Sequence, residues 1–335
     1  MNTQFQRTRG SLLVLVGLLA GGGSVPSAPP PCCGEITPET SVPSGYRVVE
    51  GDILIRIDPV SGLSPAATFK TTDFWPSGNV PYVFDNNVSQ VNRSRAVGAM
   101  AAWEAVASVN FSPRTSQLNY VHIQDSAGNN SEVGQAGGKQ IINITSWNSK
   151  FVIAHELGHC LGFWHEQSRS DRDSYITINL DKIQNGKADD FAIEAHSSHY
   201  GPYDFDSVMH YNSCGFSTCG NCTSSSSSCW TITVNPPYAG EWQSQIGQRD
   251  HLSRMDALTM SFLYPQSNWR FLDLNYHGLF EFGSFLVPAK TFANGKNLTP
   301  AGGTLWIQPG HYAAVGIHSK TMTLRAPLGG VTMGD

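Results

Sequence analysis

The chain has no long basic run: its 335 residues carry 21 Lys and Arg against 26 Asp and Glu, a formal charge of −5. That balance argues against nucleic acid as a partner, which calls for a concentrated positive surface. Past one amino-terminal segment, no stretch is apolar and long enough to cross a membrane. Cysteine is scarce, and its count of seven leaves at least one thiol unpaired within the full chain. None of the seven directly follows Leu18-Leu19-Ala20-Gly21, which weakens a lipid-anchored reading, although Cys32 and Cys33 lie a little further on. What remains is an ordinary globular composition, 40% apolar with 10% aromatic residues, enough for a core and about two domains. The amino terminus carries Arg7 and Arg9, then the apolar run Leu12–Ala20, then small residues and prolines. This reads as a secretory signal over residues 1–28 and predicts a secreted, extracellular protein.

The most informative stretch is His155-Glu156-Leu157-Gly158-His159-Cys160-Leu161-Gly162-Phe163-Trp164-His165-Glu166. On a helix, His155 and His159 lie one turn apart on one face, so both can ligate a single ion. Glu156 is rotated off that face and is free to take a proton from a water. Gly162 can adopt positive φ and end the helix, and the turn returns His165 as a third ligand. Three protein ligands leave one position for water, the catalytic rather than the structural arrangement of zinc. One Zn2+ per subunit is therefore expected.

Downstream, Ser207-Val208-Met209-His210-Tyr211 follows Tyr203-Asp204-Phe205-Asp206. With the extended histidine motif it resembles the Met-turn of metzincin proteases. Glu166 and the run Gln167-Ser168-Arg169-Ser170-Asp171-Arg172-Asp173 resemble the astacin family of secreted zinc endopeptidases within that clan. The resemblance implies His155, His159 and His165 as ligands and Glu156 as general base. It implies Met209 as a methionine packed beneath the metal, and Tyr211 as a phenol that hydrogen-bonds the oxyanion of peptide hydrolysis. It also implies that Glu166 is buried and anchors the mature amino terminus.

Residues 66–83, with two alanines, Trp75 and the closing Val80-Pro81-Tyr82-Val83, look like the start of a mature astacin. Ala66 is then a candidate new amino terminus, and 29–65 a pro-segment. Within it, Val49-Glu50-Gly51-Asp52-Ile53 is similar to the family's motif whose aspartate caps the zinc of the zymogen. Asp52 is thus expected as an inhibitory ligand displacing the water, beside the bland alternative of an ordinary Gly-Asp turn. Pro65 precedes Ala66 with no adjacent basic residue, a departure that argues against a trypsin-like activating cut.

Cys214, Cys219, Cys222 and Cys229 crowd one serine-rich loop. In an exported protein two local disulfides are expected, with a second small metal site as the alternative. A guessed pairing joins Cys214 with Cys229 and Cys219 with Cys222. Cys160, between two ligands, reads as a small buried thiol. His122, His196 and His251 stand isolated and read as packing or surface residues, and Asp171 and Asp173 as holding a loop rather than calcium.

The fold expected is α+β, a zincin-like two-lobed catalytic domain over residues 66–265. Apolar spacing predicts a helix over 91–108 with Val91, Ala96, Val97, Met100, Ala101, Trp103, Ala105 and Val106 on its buried side. Strands are expected at 120–123 and 140–144, the metal helix over 149–161, and a last helix over 248–263 stopped by Pro265. One sheet edge should be able to add an extended peptide as another strand. After Pro265, short strands broken by glycine and proline, among them 304–312, 314–317, 322–327 and 331–333, resemble the opening turns of the parallel β-helix of pectin-lyase-like proteins. Residues 266–335 are therefore expected to form a small β-solenoid-like module, either a polysaccharide or surface attachment device or a passive accessory.

The function these readings imply is a secreted zinc endopeptidase acting on protein or peptide substrates and made as a zymogen. The alternative is a glycan- or surface-binding protein whose metalloprotease-like domain is a scaffold. Asn212 to Asn235 contains no Lys or Arg, so the preference of some relatives for acidic side chains is not expected here.

Overall fold

The computed structural model describes residues 42–56, 74–194, 197–314 and 318–334. The signal segment, Cys32 and Cys33, the Pro65-Ala66 junction, His196 and most of the strand expected at 314–317 lie outside the described residues. In chain order the strands are β1 (Tyr46–Val49), β2 (Ile53–Arg56), β3 (Asn79–Phe84), β4 (Asn110–Pro113), β5 (Tyr120–Asp125), β6 (Asn130–Ser131), β7 (Lys139–Ile144), β8 (Ile176–Ile178), β9 (Ile232–Val234), β10 (Trp269–Leu272), β11 (Thr304–Ile307), β12 (Gly310–Ala313), β13 (Thr323–Arg325) and β14 (Val331–Gly334). The helices are α1 (Gln90–Glu104), α2 (Lys150–Cys160), α3 (Ala239–Trp242), α4 (Arg254–Leu263) and α5 (Phe292–Leu298).

Seven strands form one sheet in the order β1-β2-β6-β7-β5-β3-β4. Strands β3, β4, β5 and β7 run parallel, and along β5 buried residues alternate with half-buried ones, whereas β6 turns back antiparallel on β7. Helices α1 and α2 cover the sheet, with Val80, Val121, Ile123, Ile142 and Ile144 below and Met100, Trp103, Ile153 and Leu157 above in one core. Two indoles tie the layers: Trp103 Nε1 donates to the Ala154 carbonyl at 2.8 Å and Trp75 Nε1 to that of Cys160 at 2.9 Å.

Helix α1 is shorter than its apolar spacing predicts. Ser89 caps it by accepting from the Asn92 amide, and it ends at Glu104, whose carboxylate accepts from the Phe111 amide and turns the chain into β4. Val91 and Val97, expected inside, are 61% and 47% exposed, and Ala101 and Ala105 are exposed as well, because the buried face is narrowed to Ala96, Ala99, Met100 and Trp103. The last helix also starts late, at Arg254 rather than Gln248. Ser253 forms a capping box with Asp256, and the Gln248 side chain instead ties a turn by donating to the Asp206 carbonyl and accepting from the Asp250 amide.

A second core holds Ile176, Phe191, Tyr203, Phe205, Tyr211, Ile232, Val234 and Ile246. This matches the expected two lobes, the second built mostly of turns. The four loop cysteines do form two disulfides, but the pairs are Cys214–Cys222 and Cys219–Cys229. The guessed pairing is wrong because the chain folds back at Ser217, whose hydroxyl donates to the Cys229 carbonyl and brings Cys229 beside Cys219. Cys160 is the free cysteine among the described residues, and burial pushes its thiol up. In the tail, β10, β11 and β13 pair in parallel, as do β12 and β14, around a core of Leu272, Ala289, Phe292, Leu305, Ile307 and Tyr312.

Candidate metal centre

Helix α2 is buried from Val152 to Cys160, so His155 and His159 sit on a fixed element rather than on a loop. Gly162 adopts φ +114°, and a paired closure ends the helix: the Gly162 amide donates to the His159 carbonyl at 2.8 Å and the Phe163 amide to that of Gly158 at 3.0 Å. The reversal returns His165 to the other two rings. The Nε2 atoms of His155 and His159 come within 3.1 Å, and the ligand atoms of His155, His159, His165 and Asp52 all lie within 4.8 Å of one another.

Each ring is oriented through its other nitrogen. His155 Nδ1 donates to the Val208 carbonyl at 2.8 Å and His159 Nδ1 to the Phe163 carbonyl at 2.7 Å. That choice of tautomer leaves the inward Nε2 atoms as bare lone pairs. Lone pairs 3.1 Å apart repel unless a cation lies between them, and His165 Nε2 and Asp52 Oδ1 are buried with no hydrogen-bond partner. A donor set of three imidazoles and one carboxylate, fully buried, fits Zn2+.

Asp52 arrives on the tip of the β1–β2 hairpin. Glu50 and Gly51 both take positive φ there, at 46° and 75°. A Cβ on Gly51 would lie 2.5 Å from Phe216 Cζ and 2.8 Å from the Tyr211 hydroxyl, so glycine is required by both conformation and space. Asp52 Oδ2 lies 3.1 Å from His155 Nε2 and Oδ1 3.1 Å from His165 Nε2, so the carboxylate points at the spot where the rings converge. Glu50 Oε2 accepts from His165 Nδ1 at 2.8 Å, and the Glu50 carbonyl accepts from the Tyr211 hydroxyl. Strand β2 then runs parallel to β6, pairing Ile53 with Ser131, so this end of the sheet is covered by the β1–β2 hairpin.

The other expected residues are also placed. Glu156 is 1% exposed with Oε2 unpartnered, and burial followed by the nearby Asp52 charge pushes its carboxyl well up. Met209 lies under α2, where a Cβ on Gly158 would meet its Sδ at 2.8 Å. The Tyr211 ring packs 4.7 Å from that of His165. Glu166 is half-buried rather than buried as expected; it accepts from Arg169 at 3.0 Å and from the Asp204 amide at 2.8 Å, and desolvation raises its carboxyl to about 8. It lines a cavity of about 520 Å³ shared with Arg169, Tyr200, Asp204 and Met255. Asp171 and Asp173 pair with Arg169 and Arg172, holding the loop as expected. His122 faces Asp85 and His251 faces Asp206, both outside the centre.

Sequence reading missed the supports. Asp256 accepts from the Ser207 hydroxyl at 2.7 Å and the Val208 amide at 2.8 Å, so the cap of α4 also holds the Met-turn. Gln167 accepts from the Tyr211 amide, and Arg249 donates to the His210 carbonyl. Gly158, a glycine inside a helix, was the one legible signal of a close approach.

A histidine triad on a helix that breaks at a glycine, closed from below by a methionine turn, is the architecture of zinc metallopeptidases of the metzincin type. The model of the astacin peptidase family matches residues 67–265, and the chain belongs to that family. It is 33% identical over 269 residues to the astacin-like metalloendopeptidase of Mus musculus, covering 76% of this chain and 55% of that protein. It is also 33% identical over 224 residues to high choriolytic enzyme 1 of Oryzias latipes, covering 65% and 77%. The solved structure of that hatching enzyme, a zinc-protease, superposes with a TM-score of 0.52 at 32% identity, over 58% of this chain and 96% of that one. The chain spans about half the length of the mouse relative and 32% of zinc metalloproteinase nas-15 of Caenorhabditis elegans.

Proposed function

We propose that this chain is the secreted zymogen of a zinc-dependent endopeptidase. The observation that carries the reading is the convergence of His155, His159, His165 and Asp52 on one point, with Glu156 buried beside it. In this form Asp52 occupies the corner a water needs, and Tyr211 is engaged by the Glu50 carbonyl. Removing the hairpin frees both. The two loop disulfides support an oxidising, extracellular setting.

Zinc, when bound, polarises the scissile carbonyl and lowers the pKa of a water. Glu156 accepts a proton from that water and delivers it to the leaving amine. The Tyr211 hydroxyl donates to the oxyanion. The substrate backbone adds along the β6 edge vacated by β2. Glu166, raised by burial and bordering the cavity, receives the new amino terminus near Ala66. The parallel pairing in the tail supports the short solenoid reading of residues 266–335, a passive accessory or a polysaccharide- or surface-binding module.

The experiment is digestion of a peptide library by protein cleaved near residue 65, with and without chelator. Chelator-sensitive cleavage is expected. Glu156→Gln should retain one zinc per chain by metal analysis yet lose turnover by roughly 10² to 10⁴, and full proteolysis by that variant rules out its role as base.

A further inference from the structure

Glu132 follows β6 directly and is 1% exposed, an acidic side chain with no part in the metal centre. Its two oxygens are separately employed. Oε2 accepts from the Ile141 amide at 2.9 Å, a bond within the catalytic domain that fixes the carboxylate's direction. Oε1 accepts from Arg56 Nε at 2.9 Å, and Arg56 belongs to the hairpin. The same guanidinium donates through Nη2 to the Lys139 carbonyl at 2.6 Å and lies 5.8 Å from the Tyr46 ring centroid. Of these partners, Tyr46 leaves with the pro-segment, whereas Glu132 and the Lys139 carbonyl stay. Activation therefore leaves an oriented carboxylate and an oriented carbonyl facing the same empty space, both acceptors.

The space lies on the substrate's own path. Asp52 and Ile53 are held on β6, where the Ser131 amide donates to the Asp52 carbonyl at 2.9 Å. Arg56 stands four residues beyond Asp52, about 13 Å further along an extended chain. Burial pushes the Glu132 carboxyl up to about 7 against the pull of Arg56, so the site gains most from a cation in direct contact.

We propose that the mature cleft selects substrates carrying a lysine or arginine side chain three to four residues from the scissile bond, seated between the Glu132 carboxylate and the Lys139 carbonyl where Arg56 sits in the uncut chain. The hairpin thus mimics a substrate side chain as well as capping the metal. This rests on the zymogen and endopeptidase reading, and the test separates the two.

Activated zinc-loaded protein is given a randomised peptide library and the cut products are sequenced. Enrichment of Lys and Arg is expected at one fixed position three to four residues from the cut. Two fluorogenic peptides differing only as Lys or Gln there should then differ in kcat/KM by roughly tenfold or more, and Glu132→Gln should bring that ratio close to one. Cleavage without basic enrichment at that distance overturns the inference while leaving the endopeptidase reading intact, and so does a ratio that Glu132→Gln does not move. No cleavage of any peptide overturns both. The wild-type profile decides the matter even if the variant fails to fold.

Discussion

Replacing Gly51 by alanine should loosen the cap on the metal centre, and the size of the effect follows from two costs. Gly51 sits at φ +75°, where an L-residue with a Cβ costs about 1 kcal/mol or a little more. The added carbon would lie 2.5 and 2.7 Å from two atoms of the Phe216 ring and 2.8 Å from the Tyr211 hydroxyl. Overpacking of that kind costs typically about 1–3 kcal/mol. The undocked hairpin suffers neither penalty in full, so docking weakens by about 2–4 kcal/mol, a shift of roughly thirty- to thousandfold in the open fraction. The assay is cleavage of a fluorogenic peptide by uncut chain, with a gel showing the pro-segment intact. Leak activity should rise by that factor, up to the ceiling set by the activated enzyme. On the proposed zymogen reading, protein cut near residue 65 from either version lacks residue 51 and should be equally active. An uncut variant with native spectroscopy and leak within about threefold of the parent would refute the steric account of the cap.

His165→Ala should lower zinc retention by at least ten- to a hundredfold, read by metal analysis after dialysis against a weak chelator; stoichiometric zinc in that variant contradicts its place as third ligand. Removing the Cys219–Cys229 link by a double serine substitution opens a loop with a sequence separation of 10, and should cost about 2–3 kcal/mol by chemical denaturation; an unchanged midpoint contradicts this. Asp204 is raised to about 6 by burial and by the Asp256 charge. Its folded pKa exceeds the unfolded one, so its contribution to stability is full below about pH 4 and is lost as pH rises through about 6. Asp204→Asn should flatten the pH profile of the melting temperature across that window, and an unaltered slope counts against the assignment.

The metal ligands were legible because their chemistry is local. One turn of helix places His155 and His159 together, and one glycine at φ +114° brings back His165, so a dozen consecutive residues carry most of the geometry. The parallel strands β5 and β7 and helix α2 were legible for the same reason, each being a short periodic run. Errors arose where long-range packing decides. Val91 and Val97 share the apolar spacing of α1 but face solvent, since only Ala96, Ala99, Met100 and Trp103 of that helix are buried. The disulfide pairing depended on a fold-back at Ser217 that spacing does not encode.

The sequence by itself thus determined the metal-binding cluster: three imidazoles with a neighbouring carboxylate and a chain reversal, all set by dihedral preferences within a few bonds. Only the tertiary structure decided which distant groups meet that cluster. It brings Asp52 across 103 residues to His155, Asp256 across 48 to the Val208 amide, and Arg56 across 76 to Glu132. Such contacts depend on how hairpin, sheet edge and cap pack together, and burial rather than sequence spacing sets their strength.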